Sequence, residues 1–145
     1  MIKQFQNQFR WLSNFYMVPI FINNVSYKSV EHYYASMKTL DRTIMNLIIN
    51  SNTPGEAKRL GSRAPLRHDW SIIRLGIMAV GVHSKFSQNH ILQTKLVATS
   101  QQKLVEGNYW HDNYWGNCFC NKCSSIKGEN ILGEILMSVR KIFLI

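Results

Sequence analysis

TPGEAKRLGSRAPLRHDWSIIRLGIMAVGVHSKF, residues 53–86, decides the fold class. It opens on Thr53-Pro54-Gly55-Glu56: a threonine hydroxyl to cap a helix, a proline at the first helical position, and a glutamate that closes a capping box. This start predicts a short helix to Leu60, stopped by Gly61. Arg63 to His68, interrupted by Pro65, reads as a loop. From Asp69 to Phe86 the apolar residues Ile73, Ile77, Val80 and Phe86, with Leu75, Met78, Ala79 and Val82 beside them, predict one long helix buried over most of its circumference. Gly76 and Gly81 weaken its propensity and permit close packing.

Working outward, residues 5–9 and 18–27 alternate or are rich in apolar side chains, with Asn23-Asn24 between the halves of the second stretch. They read as a hairpin or two short strands. Ser29 can cap a helix carrying Val30, Tyr33, Tyr34 and Met37, and Asp41 can cap another through Ile49. Beyond the central stretch a helix covers about Asn89 to Ala98, and Lys103 to Glu106 reads as a short strand. Asn108 to Lys127 has little periodicity and reads as a long surface loop of the kind that carries function. A last amphipathic helix, Ile131 to Ile142, turns Leu132, Ile135 or Leu136, Val139 and Phe143 toward a core. The expectation is one α+β domain over residues 1–145, mostly helical, with a small antiparallel sheet.

The 145 residues suffice for one domain with its own hydrophobic core, and the 46% hydrophobic content argues against disorder. The longest strongly apolar window, Leu75 to Val82, is too short to cross a bilayer, and the N-terminal residues lack the pattern of a signal peptide. All three cysteines lie between Cys118 and Cys123, which cannot make a disulfide framework, so a reducing, cytoplasmic location is expected. The formal charge of +9 is divided almost evenly between the two halves of the chain. Such a field favours phosphorylated sugars, nucleotides or nucleic acid, although it also serves solubility.

No phosphate-binding glycine loop, metalloprotease helix or nucleophile elbow is present. The five histidines are scattered, without the spacing of a catalytic zinc trio. Glu31 stands out: it falls in the first turn of a helix, with Tyr34 or Ala35 and Lys38 on the same face. A carboxylate beside aromatic rings and a lysine suits a catalytic base in a polar, aromatic-lined pocket, and the helix terminus favours its ionised form. The alternative is a first-turn glutamate that only steadies the helix. Asp69 and Asp112 are the further carboxylates to weigh, and Trp70 and Trp115 can stack on a heterocycle or serve as core. Lys58, Arg59, Arg63 and Arg67 cluster where they can hold phosphate or form a solvated rim. Cys118, Cys120 and Cys123 are close enough to bind a structural zinc if His111 or a partner chain supplies the fourth ligand; three reduced thiols are the alternative.

SNF (13–15), SVEHYY (29–34) with Lys38, AKRLG (57–61), PLRHDW (65–70), KF (85–86), LVE (104–106), DNYWG (112–116) and GENILGEILMSVR (128–140) together resemble the NADAR family, in order and over nearly the whole chain. Within that family the motifs are similar to those of the YbiA-like branch. The resemblance implies a compact α+β fold and hydrolysis of N-glycosidic bonds in ribosylated compounds, with no cofactor required. The implied substrates are phosphoribosylamino-pyrimidine intermediates of riboflavin synthesis, releasing ribose 5-phosphate, or guanine carrying ADP-ribose in nucleic acid. It places the important glutamate and tryptophan on Glu31 and Trp70 and the DxYWG aspartate on Asp112. Asn14, Phe15, Tyr34, Lys38, Lys58, Gly61, Arg67, Trp115 and Asn130 fall on motif positions expected to contact substrate. A Schiff base through Lys38 is a variant of the chemistry. Two departures bear on selectivity: Ala35, Ser36 and Met37 replace a more polar run before Lys38, and Asn117 and Cys118 follow Trp115-Gly116 before a longer insert. A non-catalytic module for ADP-ribose, NAD or nucleic acid, and a cysteine-loop interaction domain, are the competing classes.

Overall fold

The computed structural model describes residues 1–145, which divide into two units: Asn14–Gln88, and Met1–Ser13 with Asn89–Ile145. The first unit holds a two-stranded antiparallel hairpin, β1 (Ile20–Ile22) and β2 (Val25–Tyr27), and four helices, α1 (Val30–Ser36), α2 (Arg42–Asn50), α3 (Pro54–Arg63) and α4 (Trp70–Gln88). Asn23 and Asn24 take positive φ of 50° and 66°, the left-handed pair that a tight hairpin turn requires. Ile20 faces Tyr27 across the hairpin, and both are buried.

The capping residues read from the sequence do cap. The Ser29 hydroxyl accepts from His32 N, the Asp41 carboxylate accepts from Thr43 and Ile44 N, and the Thr53 hydroxyl accepts from Glu56 N. Glu56 also reaches back, but past the cap: its carboxylate oxygen accepts from Asn52 N, one residue before the Thr53 N–H that the expected capping box would use. α3 does not stop at Gly61, however; it continues to Arg63. Gly61 serves close approach instead, because a Cβ there would stand 3.0 Å from the Cβ of Ala35 on α1. Around that contact Ala35, Ile48 and Ala57 form a fully buried cluster, closed by Ile44 and Leu60.

α4 is one long helix, as expected, but only one face of it is buried. Trp70, Met78, Gly81, Val82, Lys85 and Phe86 face inward, whereas Ile72 is 82% exposed. Apolar density along a sequence does not say which way each side chain points: at helical spacing Ile72 and Val80 fall off the buried stripe, and Leu75, though on it by spacing, is still exposed. Lys85 is buried despite its charge, its Nζ lying 5.5 Å from the Tyr16 ring centre and 5.2 Å from that of Phe86.

The second unit begins with a 3-10 turn, Asn7–Leu12, where alternation had suggested a strand over residues 5–9. Asn7 has φ 54°, which ends any extended run, and the turn then buries Trp11 and Leu12 together. Helices α5 (His90–Ala98) and α6 (Ile131–Ile142) lie where expected. α6 buries Leu132, Leu136 and Val139, so Leu136 rather than Ile135 takes the core position. Lys103–Glu106 is not a strand; a single parallel bridge joins Leu104 to Ile2. Nor is the stretch from Asn108 to Lys127 merely a surface loop. Gly107–Asn108 (β3) pairs in parallel with Asn117–Cys118 (β4), a 3-10 turn follows at Asn121–Cys123, and Asn108, Cys118 and Cys123 are buried. Short side-chain-held segments of this kind leave no periodic signature.

Candidate active site

Glu31 is the second residue of α1. Its N–H donates to the Asn14 carbonyl at 3.1 Å, which ties the segment before β1 to the helix start. Next to it, the Ser29 hydroxyl pairs with His32 Nδ1 at 2.7 Å while His32 Nε2 reaches the Ser51 carbonyl at 3.1 Å. His32 is fully buried, and burial pushes its pKa down. It is a fastener of the helix start, linking it to the end of α2. The sequence had shown it only as one of five scattered histidines; the Ser-x-x-His spacing at a cap was the available signal.

The Glu31 side chain is 7% exposed. Burial raises its pKa to about 7, against the pull of Lys38 and then Lys58, both of which favour the anion. The expectation that the helix terminus would keep Glu31 ionised is therefore corrected: loss of water outweighs the first-turn position and both cations. Lys38 feels the reciprocal environment, its pKa lowered by burial first, raised by Glu31 and lowered again by Lys58.

Aromatic rings surround these charges. Tyr34 and Trp70 lie 5.0 Å apart between ring centres at 58°, and Lys38 Nζ stands 5.4 Å from the Tyr34 ring. Lys58 Nζ lies 5.7 Å from the ring of Phe15, and the Asn14 amide donates to Met78 Sδ at 3.2 Å. Asn14, Phe15, Glu31, Tyr34, Lys38, Lys58 and Trp70 thus form a chain of neighbours drawn from α1 and the turn after it, α3, α4 and the segment before β1. Gly61 lies behind them, supporting α1 through Ala35. Arg67 is anchored differently: its N–H donates to the Lys38 carbonyl at 2.8 Å, and its guanidinium grips Asp69 through a fork of 2.6 and 3.1 Å. That bond holds the Asp69 carboxyl below its ordinary range, so Asp69 is a salt-bridge partner.

Asp112, Trp115 and Asn130 belong to the other unit. Asp112 Oδ1 accepts from both Tyr114 N and Trp115 N, at 3.1 and 2.9 Å, fixing the turn that presents Trp115. The buried Asn108, which sequence reasoning missed, accepts from Asp112 N through Oδ1 and donates to the Asp112 carbonyl through Nδ2, at 3.1 and 2.7 Å. Asn130 adopts φ 53° before α6 and uses both ends of its amide, accepting from Glu106 N at 2.9 Å and donating to the Leu104 carbonyl at 2.8 Å. In the same unit His111, Cys118, Cys120 and Cys123 make a group able to coordinate a metal, their ligand atoms all within 4.8 Å of one another.

No helix is long and apolar enough to cross a membrane. The chain as a whole has relatives among known proteins. The N-glycosidase YbiA of Escherichia coli is 34% identical over 106 residues, covering 69% of this chain and 66% of that protein. An N-glycosidase of Nostoc punctiforme is 39% identical over 101 residues, covering 66% of this chain and 65% of its own length. A riboflavin biosynthesis protein of Vibrio vulnificus is 34% identical over 108 residues, covering 70% of this chain and only 29% of its own length. The match thus spans just under two thirds of the curated N-glycosidases. The NMR structure of Escherichia coli YbiA superposes with a TM-score of 0.84 at 30% identity, covering 99% of this chain and 87% of that one, so the mostly helical α+β fold with a small antiparallel sheet is shared. With the NADAR domain matched over residues 2–144, the chain belongs to the NADAR family.

Proposed function

We propose that this protein hydrolyses the N-glycosidic bond of a ribosylated substrate, with Glu31 as the catalytic residue. The observation that carries this reading is the buried Glu31 carboxyl, with a pKa of about 7, beside two lysines and the Tyr34–Trp70 ring pair. A carboxyl poised near neutrality can take and return a proton at working pH. Glu31 removes a proton from water as the water oxygen bonds to the anomeric carbon. The carbon–nitrogen bond breaks with its electron pair leaving on nitrogen, which takes up the proton that Glu31 returns. Ionised in poorly solvated surroundings, the same carboxylate stabilises positive charge developing on the ribose ring.

Lys38 and Lys58 are assigned to phosphate, Trp70 and Tyr34 to the face of the base or ribose, and Asn14 and Phe15 to the substrate's edge. Arg67, already committed to Asp69, adds field more than direct contact. Gly61 and Asn130 hold backbone, and Asp112, expected from its motif position to bind sugar hydroxyls or assist as acid/base, is assigned to the turn of its own unit that presents Trp115. The reaction as written needs no cofactor. The cysteine usage suits a cytoplasmic setting.

The favoured substrates are phosphoribosylamino pyrimidines of riboflavin synthesis, supported by the name of the Vibrio vulnificus relative, while the N-glycosidase names support the bond type alone. The +9 charge favours a second reading, an ADP-ribosylated guanine in nucleic acid. Incubation of the purified protein with each, followed by mass detection of the freed base with ribose 5-phosphate or ADP-ribose, separates the two. Turnover on either, abolished in Glu31→Gln, supports the hydrolase. Saturable ADP-ribose binding without any turnover replaces it with a binding module.

A further inference from the structure

We propose that His111, Cys118, Cys120 and Cys123 bind one zinc ion that clamps the His111–Cys123 segment into its native turn. Three thiolates and one imidazole are the donor set that borderline-soft zinc takes, and four protein ligands leave no open position, which marks a structural site. Tetrahedral zinc, with metal–sulfur bonds of about 2.3 Å and metal–nitrogen bonds of about 2.0 Å, sets its ligand atoms roughly 3.5–3.8 Å apart. Here His111 Nδ1 lies 3.3 Å from both Cys120 Sγ and Cys123 Sγ, and all four ligand atoms fall within 4.8 Å of one another. The constellation already has nearly the dimensions of a coordination shell.

The backbone is shaped to this convergence. His111 takes φ 69°, a left-handed conformation unusual for a side-chain-bearing residue, within the turn from which its ring meets the thiols. The 3-10 turn at Asn121–Cys123 brings the last cysteine back, with Cys123 N donating to the Cys120 carbonyl at 3.1 Å. Around the ligands, Cys120 N points at Cys118 Sγ at 3.5 Å, and Asn113 Oδ1 accepts from Cys118 N at 2.9 Å. Amide donation to a coordinating sulfur and fixed ligand backbones are the outer-shell features that metal sites use.

The segment also needs such a fastener. Its side chains between His111 and Cys123 are mostly polar or glycine, its aromatic Tyr114 and Trp115 are only half-buried and Phe119 is exposed, so apolar burial holds it only in part. A metal that binds only the folded arrangement supplies its binding energy as folding energy. His111 is the neighbour of Asp112, whose Oδ1 fixes the Trp115 turn, so the clamp borders that turn in the chain.

The test is metal content and metal uptake of the full chain, neither of which reads glycosidase turnover. Protein purified without chelator carries one zinc per chain. The stripped protein takes up one cobalt(II) with the visible absorption of a tetrahedral thiolate site. Cys120→Ser and His111→Ala each lower metal affinity at least about tenfold, whereas Lys122→Ala leaves it unchanged. Should a ligand variant fail to fold, cobalt titration of the wild type still decides. A wild type that refuses zinc and cobalt with all three thiols reduced overturns the proposal. So does a disulfide between two of the cysteines in place of metal, or metal uptake indifferent to His111→Ala.

Discussion

Glu31 and Asp112 are both carboxylates at the start of a turn, and the protein treats them in opposite ways. Asp112 gives one oxygen to two backbone amides, and its own backbone is gripped by Asn108. Glu31 is buried, and two lysines fail to offset what it loses in water, so its proton is held up to about 7. A carboxylate matched by backbone donors builds architecture. A carboxylate left under-compensated is held ready for proton transfer, at a cost to the fold. The comparison separates the chain's polar residues into those whose removal should damage activity and those whose removal should damage stability.

The sharpest way to break it is Glu31→Gln. Below pH 4.5 the folded and unfolded chains both hold the Glu31 proton, so its raised pKa has no effect on stability. As pH rises from there toward 7 the unfolded chain ionises first, binds fewer protons than the folded one, and stability falls. Above about 7 the full penalty is present, on the order of 3 kcal/mol for a shift of this size. Glutamine cannot ionise, so the variant should match the wild type near pH 4 and exceed it by up to ~3 kcal/mol at pH 8. Turnover should fall by roughly 10²–10⁴-fold. Urea unfolding at the two pH values, beside single-substrate assays, measures both. A variant less stable than wild type at pH 8 would mean that Glu31 is satisfied by its surroundings, as Asp112 is.

Asn130→Ala probes the other side. It strands Glu106 N and the Leu104 carbonyl and leaves alanine at φ 53°. Unpaired backbone groups and a left-handed alanine together should cost about 3 kcal/mol. Asn130→Gly relieves only the backbone strain and should recover part of the loss. Equal stability of the two variants would show that the hydrogen bonds, not the conformation, make the difference.

Lys38→Met tests the electrostatics of Glu31 more gently. Removing the cation with the larger pull on Glu31 leaves burial opposed by Lys58 alone, so the Glu31 pKa should rise further, by about one unit. With Glu31 acting as a base, the rising limb of kcat against pH should move to higher pH by that amount. An unmoved midpoint with only KM raised would leave Lys38 as a phosphate contact that does not influence Glu31.

How much of this was readable beforehand follows from range. Ser29, Asp41 and Thr53 act on amides two or three residues away, and the helices they start were readable from those few letters. Gly61 looks like a helix stop in one dimension, and its actual partner, Ala35, lies on another helix. The strand expected at residues 5–9 failed on one backbone angle, that of Asn7. In the candidate site, Glu31, Trp70 and Lys38 could be named from motif positions, but the raised pKa could not, because it depends on what burial removes from around the carboxyl. Asn108 and the His32–Ser51 link went unseen for the same reason: a buried polar side chain declares its role only through partners that folding brings to it.

The smallest effect should come from Arg67. Sequence reasoning grouped it with Lys58 as a phosphate ligand, yet its guanidinium forks onto Asp69 and its backbone N–H holds the Lys38 carbonyl. Arg67→Ala keeps that backbone bond and removes an ion pair that stands partly in solvent, where such pairs contribute little. KM should therefore change by less than about threefold, against at least about tenfold for Lys58→Ala, a difference of roughly 1 kcal/mol in binding. If both substitutions raise KM equally, Arg67 leaves Asp69 when substrate arrives, and its ion pair belongs with Glu31 among the groups held in readiness. If Arg67→Ala changes neither KM nor kcat, the fork is architecture, and Lys38 and Lys58 carry the phosphate between them.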